Sequence, residues 1–199
     1  MQNLPGFNLT LPGWVAEFLP PPEKVYPTVR ERMALAVELS RLNVEKGTGG
    51  PFGAAIFDME TDRLVSAGVN LVESLNCSVL HAEMVAIMLA QKKVGTFDLS
   101  GVDGQGGAAM ELVASTEPCA MCFGAIPWSG VRRLVCGARD GDARGIGFDE
   151  GPKLSSWAGA LEDRGIEVVR DVCRDEAVRV LKGYLDKGGL IYNSRQGGE

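Results

Sequence analysis

The chain has very little histidine: one imidazole, His81, in 199 residues. It also has only one closely spaced cysteine pair, Cys119 and Cys122, and no second Cys-x-x-Cys accompanies it. Structural zinc is usually closed by four protein ligands, whereas catalytic zinc keeps three and leaves a position for water. This sparse inventory favours an open zinc site. A structural site completed by Cys136 or Cys77 is the alternative.

Three further absences limit the class of protein. No apolar run approaches the roughly 20 residues that span a bilayer, and the N-terminus lacks the basic start and apolar stretch of a signal peptide. Five cysteines, an odd number, argue against a disulfide framework. We therefore expect a cytoplasmic protein with reduced thiols and no membrane contact.

The chain has fewer basic than acidic residues, 20 Lys and Arg against 26 Asp and Glu. The formal net charge is −6, and the nearest approach to a basic patch is the pair Arg132 and Arg133. Proteins that grip a phosphate backbone need clustered Lys and Arg. The charge argues against nucleic acid as a partner and favours a small neutral substrate.

Proline is concentrated at one end of the chain. Six of the ten prolines fall within residues 1–27, together with the aromatic residues Phe7, Trp14, Phe18 and Tyr26. Prolines discourage regular structure, but four aromatic side chains exceed what a solvated tail needs. Residues 1–27 are predicted to form an arm packed on the body or on a partner subunit, a flexible leader being the alternative. Residues 28–199 are predicted to form a single domain.

The body alternates between helical and strand patterns. The capping-box sequence at Thr28 predicts a helix to about Val44. Further helices are predicted over 81–93, 119–126, 153–164 and 175–187, and strands over 52–58, 64–70, 110–115, 131–137 and 166–170. The first two strands form a probable antiparallel hairpin. The pattern predicts a mixed five-stranded sheet covered by helices.

Two short motifs carry the chemistry. His81 and Glu83 begin one predicted helix, and Pro118 precedes Cys119 and Cys122 at the start of another, where Pro118 would occupy the first helical position. The positive end of a helix dipole favours thiolates there. Zinc bound by the imidazole and both thiolates would supply hydroxide at neutral pH as the nucleophile. Glu83, beside the metal without ligating it, is the candidate proton shuttle.

In this order the motifs match the zinc-dependent nucleobase deaminases, H-x-E…P-C-x-x-C. The chain resembles the cytidine-deaminase superfamily, specifically its bacterial guanine deaminase branch. Besides the zinc motifs, this resemblance is carried by residues 49–53, 121–125 and 146–150 with Asn70 and Trp128. It implies a three-layer α/β/α fold, one zinc ion per chain, and hydrolysis of guanine to xanthine and ammonia.

The resemblance also implies substrate-binding residues: Phe52, Asn70, Trp128, Phe148 and Tyr192. Asn70 would hydrogen-bond the base, although an Asn that ends a strand through its own backbone is the alternative. Phe52 would lie against the purine or, alternatively, in the core. Tyr192 would close the site. Glu150 would act as a second catalytic carboxylate that accepts from N1–H and the 2-amino group, donors that adenine and cytosine present differently.

Several other functions remain open. The same fold could deaminate guanosine, ammeline or a pyrimidine, and a transfer-RNA adenosine deaminase shares the zinc motifs. A zinc-stabilised binding protein is the non-enzymatic alternative, although a structural zinc has no use for Glu83. The resemblance further implies a homodimer whose active site is completed across or near the interface.

Overall fold

We analysed a computed structural model of the chain, which describes residues 6–101 and 108–193. The helices are α1 Gly13–Phe18, α2 Val29–Glu45, α3 Ala82–Val94, α4 Ala120–Ser129, α5 Asp140–Gly145, α6 Trp157–Glu162 and α7 Arg174–Asp186. The strands are β1 Gly53–Asp58, β2 Leu64–Val69, β3 Met110–Thr116, β4 Arg133–Ala138 and β5 Glu167–Val169. Among the described residues, no helix has the length and apolar character needed to cross a bilayer.

The strands form one mixed sheet in the order β2-β1-β3-β4-β5. Strand β1 is antiparallel to both β2 and β3, with Ala55 opposite Ala67 on one side and Val113 on the other. Strands β3, β4 and β5 run parallel to one another. The predicted hairpin and the predicted mixed five-stranded sheet are therefore confirmed.

Helices cover both faces of the sheet. Helices α2 and α7 pack on one face in a core that includes Met33, Leu39 and Leu181. Helices α3, α4 and α6 pack on the other face around Ile56, Leu112 and Trp157. The side chains of β1, β3 and β4 alternate between these two cores because successive residues of a strand point to opposite faces. The three-layer α/β/α arrangement matches the prediction.

Some helix boundaries agree with the prediction from the sequence, and others differ from it. Thr28 caps α2 in a full capping box with Glu31, as predicted. The prediction for α6 is wrong at its start: the helix begins at Trp157 rather than at 153. The side chain of Lys153 instead donates to the carbonyl of Pro118, 2.6 Å away. Helix α4 runs through Pro127 to Ser129, beyond the predicted end.

The N-terminal arm lies against the body over its described part, residues 6–27. It contains the short helix α1, which was not predicted because the prolines of this segment disfavour regular structure. Val15 of α1 is only 1% exposed. The backbone N–H of Tyr26 donates to the carbonyl of Asp62 at the turn between β1 and β2. Residues 1–5 of the predicted arm lie outside the described residues.

Close helix packing positions the start of α3. A Cβ atom at Gly68 of β2 would lie 2.2 Å from the carbonyl oxygen of Ala82, the first residue of α3. Only glycine allows this approach, because the nearest atoms that a Cβ would meet belong to the backbone of α3 and cannot move aside as a flexible side chain could. The contact holds the helix start that carries His81 and Glu83 against the sheet.

Candidate metal and active site

Two helix starts deliver the predicted metal ligands. His81 is the N-cap residue of α3, with Glu83 in the first turn, and Cys119 is the N-cap residue of α4, with Cys122 in its first turn. The prediction that Pro118 occupies the first helical position is wrong, because α4 begins at Ala120. Both motifs follow loops at the same edge of the sheet, the usual place for ligands in open α/β sheets.

The ligand atoms of His81, Cys119 and Cys122 lie within 4.8 Å of one another. The Sγ atom of Cys119 is 3.4 Å from Nδ1 of His81. Zn–S and Zn–N bonds of about 2.3 and 2.0 Å at tetrahedral angles separate ligand atoms by comparable distances. One imidazole and two thiolates therefore fit a zinc ion. Within the described ranges, neither Cys136 nor Cys77 joins this group.

The ionisable groups of the site have shifted pKa values. A hydrogen bond from Cys122, reinforced by His81, lowers the pKa of Cys119 to about 4 against the opposing effect of burial. A lowered pKa favours the thiolate, which is the form that binds metal. Burial, and then the negative charge of Cys119, raise the pKa of Glu83 above its usual range. A carboxyl group that accepts protons more readily suits a proton shuttle.

A cavity of about 310 Å³ opens onto the metal ligands. Its lining includes residues from well-separated parts of the chain: Phe52, Val72, Ser78, His81, Glu83, Glu117, Cys119, Phe148, Glu150, Tyr192 and Asn193. A larger cavity of about 530 Å³ lies between α2 and α7, but it contains no residue of the metal group. The smaller cavity is the candidate active site on chemical grounds.

Glu150 lines this cavity and is only 6% exposed. Burial, followed by the negative charges of Cys119 and Glu83, raises the pKa of Glu150 to about 8. No hydrogen-bond donor among the described residues contacts its carboxyl oxygens. The group is therefore free to bind a ligand and to exchange a proton near neutral pH.

Asn70 is fully buried and is not among the residues that line the cavity, although it contacts two that are, Phe52 and Val72. Its backbone N–H donates to the carbonyl of Phe52, 3.1 Å away, and its Oδ1 accepts from the N–H of Val72 at 3.3 Å. Its Nδ2 is buried without a hydrogen-bond partner within the described part of the chain. Because buried amide groups are normally paired, this unused donor is exceptional within the core.

Aromatic side chains form one wall of the cavity. The ring of Phe148 lies 5.0 Å from that of Phe52 and 5.1 Å from that of Tyr192, both edge-on. The side chain of Asn193 accepts from the N–H of Asp149 and donates to the carbonyl of residue 147, so it pins the C-terminal segment beside Glu150. The segment that holds Tyr192 thus lines the cavity of its own chain.

Trp128 is not brought to this cavity. It lies at the far end of α4, is 86% exposed, and lines a separate surface cavity with Phe97. Within one chain Trp128 is therefore not part of the candidate site, and its contact with substrate stays a prediction.

Two charged residues of the site were missed by the motifs. Glu117 lines the cavity and accepts from Arg170 and from the backbone N–H of Asp140. The side chain of Lys153 is only 5% exposed, pairs with Asp140 at 2.9 Å, and donates to the carbonyl of Pro118. The position of Glu117 beside Pro-Cys-x-x-Cys was an available signal, whereas nothing in the sequence places Lys153 there.

An open three-ligand metal site with a buried, non-ligating carboxylate, on a mixed sheet between helical layers, defines a zinc hydrolase of the deaminase type. Residues 28–138 match the cytidine and deoxycytidylate deaminase zinc-binding region. Because this match covers more than half of the chain, the protein belongs to that family and is a hydrolytic deaminase.

Individual relatives place the chain more finely. It is 36% identical over 115 residues to a guanine deaminase of Bacillus subtilis, covering 58% of this chain and 67% of the relative. It is 32% identical over 158 residues to a probable cytosine deaminase of Schizosaccharomyces pombe, covering 77% and 90%. The solved structure of a guanine deaminase from Nitrosomonas europaea superposes with a TM-score of 0.85 at 44% identity, covering 91% of this chain and 97% of that one.

Proposed function

We propose that this protein hydrolyses guanine to xanthine and ammonia. The observation that carries the proposal is a buried carboxyl group without an ion-pair partner among the described residues, that of Glu150, in the same cavity as His81, Cys119 and Glu83; Glu117, the third buried acid of this lining, is already paired with Arg170. Deamination as such requires only the ligands and one proton shuttle. The additional acid matches the paired N1–H and 2-amino donors of guanine.

The similarity to guanine deaminases supports the same substrate. The Nitrosomonas europaea enzyme covers 91% of this chain, so the similarity extends into the segment beyond residue 138, where the family match ends. The cavity volume of about 310 Å³ lies at the lower end of the roughly 300–1,000 Å³ of small-molecule sites, which suits a free base.

The residues divide the reaction between them. Zinc, when bound, lowers the pKa of a coordinated water to about 7 and so makes it nucleophilic at neutral pH. The carboxylate of Glu83 takes a proton from the attacking water and returns it to the substrate. A C–O bond forms at C2 and the bond from C2 to the 2-amino nitrogen breaks, so one water is consumed and ammonia leaves without any redox change. In its ionised form, which a nearby zinc ion would favour, Glu150 would accept from N1–H and the 2-amino group, and it could relay a proton to the departing nitrogen.

The remaining contacts orient the base. The unused Nδ2 donor of Asn70 would serve a ring or carbonyl acceptor of guanine, and Phe52 and Phe148 would pack on the ring. The hydroxyl of Tyr192 is buried without a partner among the described residues, so it would supply a further polar contact at the closed end of the cavity.

An ammonia-release screen tests the proposal. Purified zinc-loaded protein would be incubated with guanine, guanosine, ammeline, adenine, cytosine and cytidine. We expect guanine to give the highest kcat/KM. Preference for guanosine, ammeline or a pyrimidine would assign the alternative within the same fold, and silence on all six would refute the small-molecule assignment. A gel shift with transfer RNA at physiological salt would then test the remaining rival.

We further propose that each chain consists of an arm, residues 1–27, and a single domain, residues 28–199. Two such chains would form a homodimer in the cytoplasm. The five cysteines are free, as a reducing compartment requires. Trp128 and Phe97 are 86% and 82% exposed at one surface, and a second copy of the chain would bury them. Light scattering of the wild type and of Trp128→Ala tests the dimer; a monomeric wild type would refute it.

A further inference from the structure

A chain of hydrogen bonds runs from the N-terminal arm into the body. The indole Nε1–H of Trp14 in α1 donates to Oγ1 of Thr48, 3.0 Å away. The hydroxyl of Thr48 in turn donates to Oδ1 of Asn43 in α2, at 2.7 Å. A hydroxyl has one hydrogen to donate, so accepting from the indole leaves that hydrogen for Asn43.

Asn43 holds two separate loops together. It is fully buried, and its Nδ2 donates to the carbonyls of Gly50 and Asn70, each 2.9 Å away. The amide orientation is fixed because Oδ1 faces the donating hydroxyl of Thr48 and Nδ2 faces two carbonyl acceptors. One side chain thus ties the loop before β1 to the loop after β2.

The loop before β1 and the loop after β2 are in close backbone contact at Gly49 and Asn70. A Cβ atom at Gly49 would lie 2.1 Å from the carbonyl oxygen of Asn70 and 2.9 Å from Nδ2 of Asn43. The side chain of Asn70 is additionally held through Oδ1 by the N–H of Val72. Its unpaired Nδ2 therefore points in a direction set by the backbone that Asn43 clamps.

We propose that Trp14 is a positioning residue for substrate recognition, acting through Thr48 and Asn43 on Asn70. This assigns a role to the arm and rests on the proposed function of Asn70 as a contact to the base. Precise placement of a hydrogen-bond donor matters because recognition falls steeply with small displacements of the contacting atom.

Kinetics test the consequence. Trp14→Phe keeps an aromatic ring and removes the N–H, so we expect KM for guanine to rise about threefold to tenfold, the usual worth of one hydrogen bond, with kcat little changed. Thr48→Val, which breaks the same chain, should act in the same direction. In an Asn70→Ala background, Trp14→Phe should have no additional effect on KM. An equal effect in both backgrounds would overturn the proposal.

A substrate-free measurement separates this inference from the proposed function. Hydrogen–deuterium exchange of the ligand-free protein reports on the amides of Asn70 and Val72. We expect Trp14→Phe and Thr48→Val to accelerate this exchange, whereas the control Glu17→Gln, at an exposed position of α1, should not. Unchanged exchange in both variants would overturn the positioning role even if guanine is the substrate. Accelerated exchange in a protein that does not deaminate guanine would refute the proposed function alone.

Discussion

Substituting Glu150 by Gln should have opposite effects on activity and on stability. The buried carboxyl group of Glu150 has its pKa raised from 4.5 to about 8 in the zinc-free protein. Between these values the folded chain binds a proton that the unfolded chain has lost, so stability falls as the pH rises through this window. The shift corresponds to a ceiling of roughly 5 kcal/mol. Gln is neutral throughout and escapes this cost.

We therefore expect zinc-free Glu150→Gln to gain stability relative to wild type as the pH increases. Urea unfolding at about pH 5 and about pH 8.5 measures the difference, which should widen by a few kcal/mol at the higher pH. Zinc loading should narrow it, because a nearby divalent cation favours the ionised carboxylate. The exposed Glu162→Gln substitution in α6 is the matched control and should show no such trend.

The same variant should lose guanine turnover by about 10²-fold or more while retaining zinc, since it removes a proton-transfer group and no ligand. Metal content and ammonia release measure the two properties. If the stability difference between wild type and Glu150→Gln is the same at both pH values, burial does not hold this carboxyl group protonated. Normal turnover would remove it from the mechanism.

Four further outcomes follow from the site. Glu83→Gln should lower kcat by about 10²–10⁴ with zinc content unchanged, and a fully active variant would eliminate the shuttle. Stripping the metal with a chelator should abolish ammonia release, and added zinc should restore it; activity that survives complete metal removal would contradict the mechanism. Gly49→Ala should raise KM for guanine, because the added Cβ would lie 2.1 Å from the carbonyl oxygen of Asn70 and displace that residue; an unchanged KM in steady-state kinetics would contradict this. Lys153→Met, which loses the bond to Pro118, should release zinc to a chelator about tenfold faster, unlike the exposed control Lys182→Met.

The metal half of the site could be predicted from the sequence because its geometry is local. Cys119 and Cys122 are three residues apart in one helical turn, and His81 and Glu83 share one helix start. Alternating strands and helices then suffice to bring two helix starts to one edge of the sheet. The prediction needed no knowledge of side-chain packing.

Other features depend on distant contacts and could not be predicted. Helix α5, Asp140–Gly145, has no apolar periodicity; ion pairs of its acidic residues with Lys153 and Arg174 hold it instead. The raised pKa of Glu150 likewise arises from burial, and burial is decided by segments far from it in sequence.

The metal-binding residues and the proposed substrate-binding residues of the cavity therefore differ in how substitutions should affect the protein. The ligands and Glu83 lie at the starts of α3 and α4, whereas the proposed substrate contacts come from loops: Phe52, Glu150 and Tyr192 line the cavity, and Asn70 contacts Phe52 behind it. Because these loops contribute no metal ligand, their substitution should alter which base is accepted and leave the metal in place. Asn70→Ala should thus keep one zinc per chain and lose guanine affinity. If it loses zinc as well, the two sets of residues are coupled, and substrate preference in this fold could not vary independently of metal binding.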